Sequence, residues 1–192
     1  MISMREPQAN PMSLTNRRIL ITGASSGIGR ETAVLCARLG AMVIGVARRE
    51  DKLLELKEQL GDSFAYYAHD LTELDSIEGL IKQIVADNGP LDGFVHSVGV
   101  AATRPFATLK PDALHAVMTV NFYTFVELVR QMIKKGRYNE GLSIVGVSST
   151  SSLRGNKGKT VYAASKAAMD AMVRCLAKEL APKKIRSNTI TP

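Results

Sequence analysis

Tryptophan is missing from this chain, aromatic residues make up only 5% of it, and it has two cysteines and three histidines. No aromatic side chains interleave its basic groups, which removes the stacking element that nucleic-acid binding normally uses. Cys36 and Cys175 each fall inside an apolar helical pattern, so both are expected to be buried free thiols of a reducing, cytoplasmic compartment. His69, His96 and His115 are far apart and have no Cys or Glu cluster beside them, so no metal site is expected. No apolar run approaches the length of a membrane span. The first 16 residues, with Pro7 and Pro11, also lack the apolar stretch of a signal peptide.

What remains is an ordinary globular balance: 192 residues, 45% hydrophobic and 22% charged, enough for one well-cored domain. We expect a loose tail over residues 1–16, with Met12 a candidate natural start, and a single domain over residues 17–192. The net charge of +7 is scattered in small groups such as Arg48 and Arg49, Lys134 to Arg137, and Arg154 to Lys159. Most of these read as solvated surface charge, with anionic small ligands as the plausible partners.

Strand-like runs alternate with helical ones, the pattern of βαβ units in a parallel sheet covered on both faces. Six strands are expected, at 19–22, 42–47, 64–69, 94–97, 142–148 and 185–190. Helices are expected from Gly27, Glu50, Glu73, Pro111 and Thr160, with Leu53, Leu54, Leu56 and Leu60, then Ile77, Leu80, Ile81 and Ile84, as buried stripes. The fold class is α/β: a doubly wound parallel sheet in three αβα layers.

Between the first strand and the first helix lies Thr22-Gly23-Ala24-Ser25-Ser26-Gly27-Ile28-Gly29. Gly23 permits the tight turn, Gly27 lets the backbone approach a pyrophosphate, and Gly29 allows close helix-on-strand packing, with free helix N–H groups aimed at the anion. The second strand ends in Arg48-Arg49, where an NAD-binding chain would place a carboxylate for the ribose hydroxyls. A 2′-phosphate would explain two arginines at a helix start, so NADP is favoured over NAD. Asp70-Leu71 follows the third strand and His96-Ser97-Val98-Gly99 the fourth, both at ligand-binding strand ends. His96 reads as structural.

The fifth strand delivers Ser148 and Ser149. Further on, Tyr162 and Lys166 stand four residues apart on an alanine-rich helix, which puts phenol and ammonium on one face. An adjacent ammonium favours the phenolate, so such a tyrosine is suited to exchanging a proton with a substrate oxygen. A serine hydrolase fits less well, because Val147-Ser148-Ser149-Thr150 lacks the glycine framing of a nucleophile elbow.

Taken together, Thr22 to Gly29, Asp70, Gly99, Asn121, Ser149, Tyr162 and Lys166 resemble the short-chain dehydrogenase/reductase family, over about residues 16–192. The resemblance implies a Rossmann fold in which Tyr162 is the general acid/base and Lys166 lowers its pKa and holds the nicotinamide ribose. It further implies that Ser149 polarises a carbonyl and Asn121 holds a proton relay. Ser25, Ser26 and Ile28 would meet the phosphates, Arg48 the 2′-phosphate, and Asp70 with Leu71 the adenine. Gly23, Gly27, Gly29, Arg49, Ser97 and Gly99 complete the implied cofactor contacts, with Tyr162 and Lys166 again at the ribose.

The implied reaction interconverts a ketone and a secondary alcohol, including a 3-oxoacyl thioester carried on an acyl carrier protein that Lys134, Lys135 and Arg137 would meet. A homodimer or homotetramer is implied as well. Two departures stand out. His96-Ser97-Val98-Gly99 replaces the family's usual Asn-Asn-Ala-Gly, as in enoyl reductases, although the four-residue Tyr162 to Lys166 spacing argues for carbonyl reduction. The chain also stops at Pro192, where relatives continue into a substrate lid and a last strand, so we expect a truncated domain lacking both. A dinucleotide-binding module with little or no turnover is the alternative that follows.

Overall fold

The computed structural model describes residues 10–101 and 103–192. Six strands alternate with helices: β1 (Arg18–Thr22), α1 (Gly27–Arg38), β2 (Met42–Ala47), α2 (Glu50–Leu60), β3 (Phe64–Ala68), α3 (Ile77–Asn88), β4 (Leu91–His96), α4 (Pro111–Met118), α5 (Thr124–Met132), β5 (Tyr138–Val147), α6 (Thr160–Glu179) and β6 (Arg186–Ile190). All strand pairs are parallel, in the order β3-β2-β1-β4-β5-β6. The chain order reverses between β1 and β4, and this switch point is where an open α/β sheet forms its ligand crevice.

Alternation along the strands sends side chains to two cores. Leu20, Ile44, Phe94 and Ile144 face α3, α5 and α6, and Phe94 lies over Phe125 with ring centroids 6.2 Å apart. Ile19, Ile21, Val43 and Phe64 face α1 and α2. Each fully buried Leu, Ile or Phe contributes roughly 1.5–3 kcal/mol of transfer free energy, and both faces carry enough of them to hold their helices. This is the doubly wound three-layer Rossmann arrangement that the alternating pattern predicts.

Boundaries differ where polar residues take part in the sheet. β4 begins at Leu91 rather than residue 94, and β5 begins at Tyr138 rather than residue 142. Asp92 and Asn139 are poor strand formers, yet the Asp92 carboxylate accepts from the Arg18 backbone N–H at 2.9 Å and from Asn139 Nδ2 at 3.1 Å, which ties β1, β4 and β5 together. α3 begins at Ile77, after a single 3₁₀ turn, rather than at Glu73. The helix expected from Pro111 is two α-helical segments around a π turn, Thr119–Tyr123. Leu54, expected in the buried stripe of α2, faces outward, whereas Leu53 and Leu56 are buried.

Of the tail expected over residues 1–16, residues 1–9 lie outside the described residues. Leu14 packs on the α1/α2 core, and its N–H donates to the Leu39 carbonyl at 2.8 Å. Both cysteines are free thiols, but Cys36 is half-buried rather than buried and Cys175 is exposed, because the apolar pattern around Cys175 belongs to the opposite face of α6. No described helix is long and apolar enough to cross a membrane. Among the described residues no three His, Cys, Asp or Glu side chains gather as a metal site would need.

Candidate active site

The glycine loop is shaped by what leans on it. Gly23 has φ +76°, a conformation L-residues rarely adopt, and a Cβ there would stand 2.8 Å from Ser97 Oγ. A Cβ on Gly29 would overlap Ser97 Oγ and stand 2.8 Å from the Gly23 carbonyl carbon. Gly27 (φ +54°) faces open space instead, which is the room a pyrophosphate approaching the α1 N-terminus requires. Thus two of the glycines serve packing and one serves access.

A cleft of about 300 Å³ runs from this loop over the ends of β2, β3 and β4, lined among others by Ser25, Ser26, Arg48, Arg49, Asp70 and Leu71. Arg49 crosses its mouth, donating from Nη2 to Ser26 Oγ at 2.7 Å and to Ser25 Oγ at 3.1 Å. Arg48 is largely exposed, with Nη1 3.8 Å from Asp70 Oδ2. The Asp70 carboxylate is held below its ordinary range, first by the Thr72 backbone N–H, which donates to it at 3.0 Å. The cradle, the two arginines and the open face at Gly27 fit a dinucleotide phosphate chain.

A second hollow of about 210 Å³ adjoins the first, sharing Ser97 and Gly99 with it. Ile28, Ser149, Tyr162 and Lys166 line it, together with Ala101 and Pro192. Lys166 is buried at 4% exposure, and its Nζ donates to the Val147 carbonyl at 2.7 Å while standing 6.0 Å from the Tyr162 ring centroid. Burial pushes its ammonium down to about 8, with Asp170 pulling the other way. Gly99 passes so close that a Cβ there would meet Lys166 Nζ at 3.3 Å and Asn121 Oδ1 at 3.4 Å. The groove therefore joins an anion cradle to a phenol, a hydroxyl and a buried ammonium.

Residues 17–192 match the family of short chain dehydrogenases. The chain belongs to the short-chain dehydrogenase/reductase family. It is 35% identical over 184 residues to a 3-oxoacyl-acyl-carrier-protein reductase of Thermotoga maritima, covering 94% of this chain and 75% of that one. It is 32% identical over 180 residues to an L-xylulose reductase of Caenorhabditis elegans, covering 93% and 71%. A short chain dehydrogenase structure from Pseudomonas syringae superposes with a TM-score of 0.89 at 29% identity, covering 98% of this chain and 80% of that one. One from Shigella flexneri, solved in complex with NADP, gives a TM-score of 0.85 at 32% identity, covering 93% and 77%. The enzyme is accordingly an NAD(P)-dependent oxidoreductase.

Within this short-chain dehydrogenase/reductase, Asn121 lies in the π turn and is fully buried. Its Oδ1 accepts from the Val100 N–H at 2.8 Å, and its Nδ2 donates to the Val100 carbonyl at 3.1 Å and to Ser165 Oγ at 3.0 Å. The amide thus grips the loop after β4 from both sides. Ser149 Oγ accepts from the Ser151 N–H at 3.2 Å. Ser148, by contrast, is buried with an unpartnered Oγ, so of the neighbouring pair Ser149 is the more accessible.

His96 is a fully buried member of the enzyme's core, bonded through Nδ1 to Thr22 Oγ1 at 2.9 Å, with Nε2 unpartnered. Burial, then the Lys166 charge, pushes it down to about 3. Sequence reasoning did not find Val100, Ser165 or the Val147 carbonyl. These act through contacts between distant segments, and the one local clue is an amide in the middle of a helix.

Proposed function

We propose that this enzyme reduces a ketone to a secondary alcohol with NADPH, Tyr162 donating the proton to the substrate oxygen. The observation that carries the reading is the continuity of the groove: Ser97 and Gly99 line both the phosphate cradle and the hollow that holds Ser149, Tyr162 and Lys166. When bound, a nicotinamide dinucleotide supplies the hydride. The chain's own residues do the rest. Tyr162 is the general acid, with the buried Lys166 ammonium 6.0 Å from its ring centroid. Ser149 donates to the carbonyl oxygen, Asn121 fixes the loop that passes over Lys166, and these dipoles are set before the substrate arrives.

NADP is preferred over NAD in this reading because Arg48 and Arg49 both line the cleft directly after β2, the position at which an NAD-binding chain would carry a carboxylate for the ribose hydroxyls. Ser25, Ser26, Gly27 and Ile28 would hold the phosphates, and Asp70 with Leu71 the adenine. The two free cysteines agree with a cytoplasmic enzyme. Delivery of a 3-oxoacyl group by an acyl carrier protein is a narrower version. Of the basic residues expected to meet that partner, Lys134 and Arg137 reach Glu78 at 3.3 and 3.4 Å, which leaves Lys135 as the exposed cation. Assembly as a homodimer or homotetramer belongs to the same proposal.

NADPH oxidation across β-ketoacyl thioesters, ketosteroids and sugar ketones tests the reading. Turnover with one class and not the others names the substrate. NADPH binding without oxidation of any of them overturns it in favour of a dinucleotide-binding module.

A further inference from the structure

On the buried face of α6 that carries Lys166, and on the strands that α6 covers, lie polar groups that the reaction as described does not use. Asp170 stands one turn further along α6, on the same buried side as Lys166, at 7% exposure. Its Oδ1 has no hydrogen-bond partner, and it forms no ion pair among the described residues. Ser148 Oγ and Ser187 Oγ are likewise buried and unpartnered. Ser187 is in register with Ile144, and strand alternation puts Ser148 on Ile144's side as well, the side of the sheet that α6 covers. A buried carboxylate with an unpartnered oxygen is costly to keep charged unless a cation compensates it.

Lys166 stands one helical turn away on the same buried face of α6, beyond direct ion-pair distance. We infer that Asp170 is the counter-ion of the Lys166 ammonium, a positioning residue that acts on the reaction only through Lys166; the inference rests on the reading of Lys166 as part of the oxidoreductase site. Desolvation works against the ammonium, and Asp170 opposes it. Among the described residues, titratable neighbours on the other packed elements do not supply the missing negative charge, and Asp112 and His115 of α4 are both exposed. From β4 comes His96, itself pushed toward the neutral form, and from α6 itself comes Tyr162. β5 offers a carbonyl and Ser148, β6 offers Ser187, and the loop after β4 brings the backbone of Gly99 close to Lys166. Arg174, a further turn beyond Asp170, is exposed.

The test is a pH titration of ¹³C-lysine-labelled protein followed by NMR, with Lys166 assigned by its loss in Lys166→Met. The full chain is used without substrate, so the readout does not depend on turnover. In the wild type Lys166 is expected to titrate near 8, and Asp170→Asn to lower that midpoint by about half a pH unit or more. Asp170→Glu restores it. The alkaline fall of kcat for carbonyl reduction shifts by the same amount in Asp170→Asn, a change that loosened packing alone would not produce. Asp170→Ser, which leaves room for water, takes its place if Asp170→Asn does not fold. A midpoint in the neutral variant that is unchanged or raised overturns the proposal. A lowered midpoint in a protein that reduces no carbonyl upholds the counter-ion and sinks the reaction assigned to the site instead.

Discussion

Ser97 Oγ donates to the Thr22 carbonyl at 2.7 Å and, in that position, fills the space a side chain at residue 29 would need. The family-atypical serine of the β4 loop and the last glycine of the cradle are therefore one packing unit. Gly29→Ala is expected to destabilise the fold by about 1–3 kcal/mol through overpacking, seen as a lower midpoint in urea, and to weaken cofactor binding along with it. Ser97→Ala in the same background removes the overlapping hydroxyl and should recover part of the loss.

Tyr162→Phe keeps the ring beside Lys166 and removes the acidic proton. Turnover should fall by about 10²–10⁴-fold while NADPH affinity, measured by fluorescence titration, stays within about twofold. Retained turnover would remove the phenol from the chemistry.

The two arginines at the end of β2 should separate in their effects. Arg48 is exposed and only loosely held by Asp70, so Arg48→Ala should weaken NADPH by roughly tenfold or more, the scale of a lost charge-assisted contact, and leave NADH nearly unchanged. Arg49 is pinned to Ser25 and Ser26, so Arg49→Ala should disturb both cofactors. Equal losses with NADPH and NADH in Arg48→Ala would refute the 2′-phosphate contact.

Stability should fall on the acid side because of His96. Its imidazole is held neutral down to about pH 3 in the fold, whereas in the unfolded chain it gains a proton near pH 6.5. Between those values the unfolded state binds more protons, so the contribution is complete above pH 6.5 and is lost as pH falls, by up to about 1.4 kcal/mol per pH unit. Urea unfolding from pH 7 to 4 should show this slope, and His96→Asn should flatten it. An identical slope in the variant would locate the acid sensitivity elsewhere.

Asn121→Ala removes both bonds that hold the Val100 backbone. A loss of about 1–3 kcal/mol is expected for the groups left unpaired, together with faster hydrogen exchange at Val100. Protection unchanged from the wild type would show that the loop is fixed by other contacts.

The alternation of apolar runs, the glycine spacing and the four-residue Tyr162 to Lys166 separation are local properties, and they were enough to predict a doubly wound sheet, its six strands and the position of the cleft. Strand ends rich in polar residues escaped that reading, since Asp92 and Asn139 join the sheet only because distant donors and acceptors meet them. Helix periodicity likewise carried no mark of the π turn at Asn121, which is stabilised by its grip on Val100 and Ser165. Chain order determined which residues reach the C-terminal edge of the sheet. Only the packing of α6 on β4, β5 and β6 decided which of them are buried together. Burial is what sets the charge states of Lys166 and His96, because the cost of a charge depends on the surroundings that the whole fold assembles.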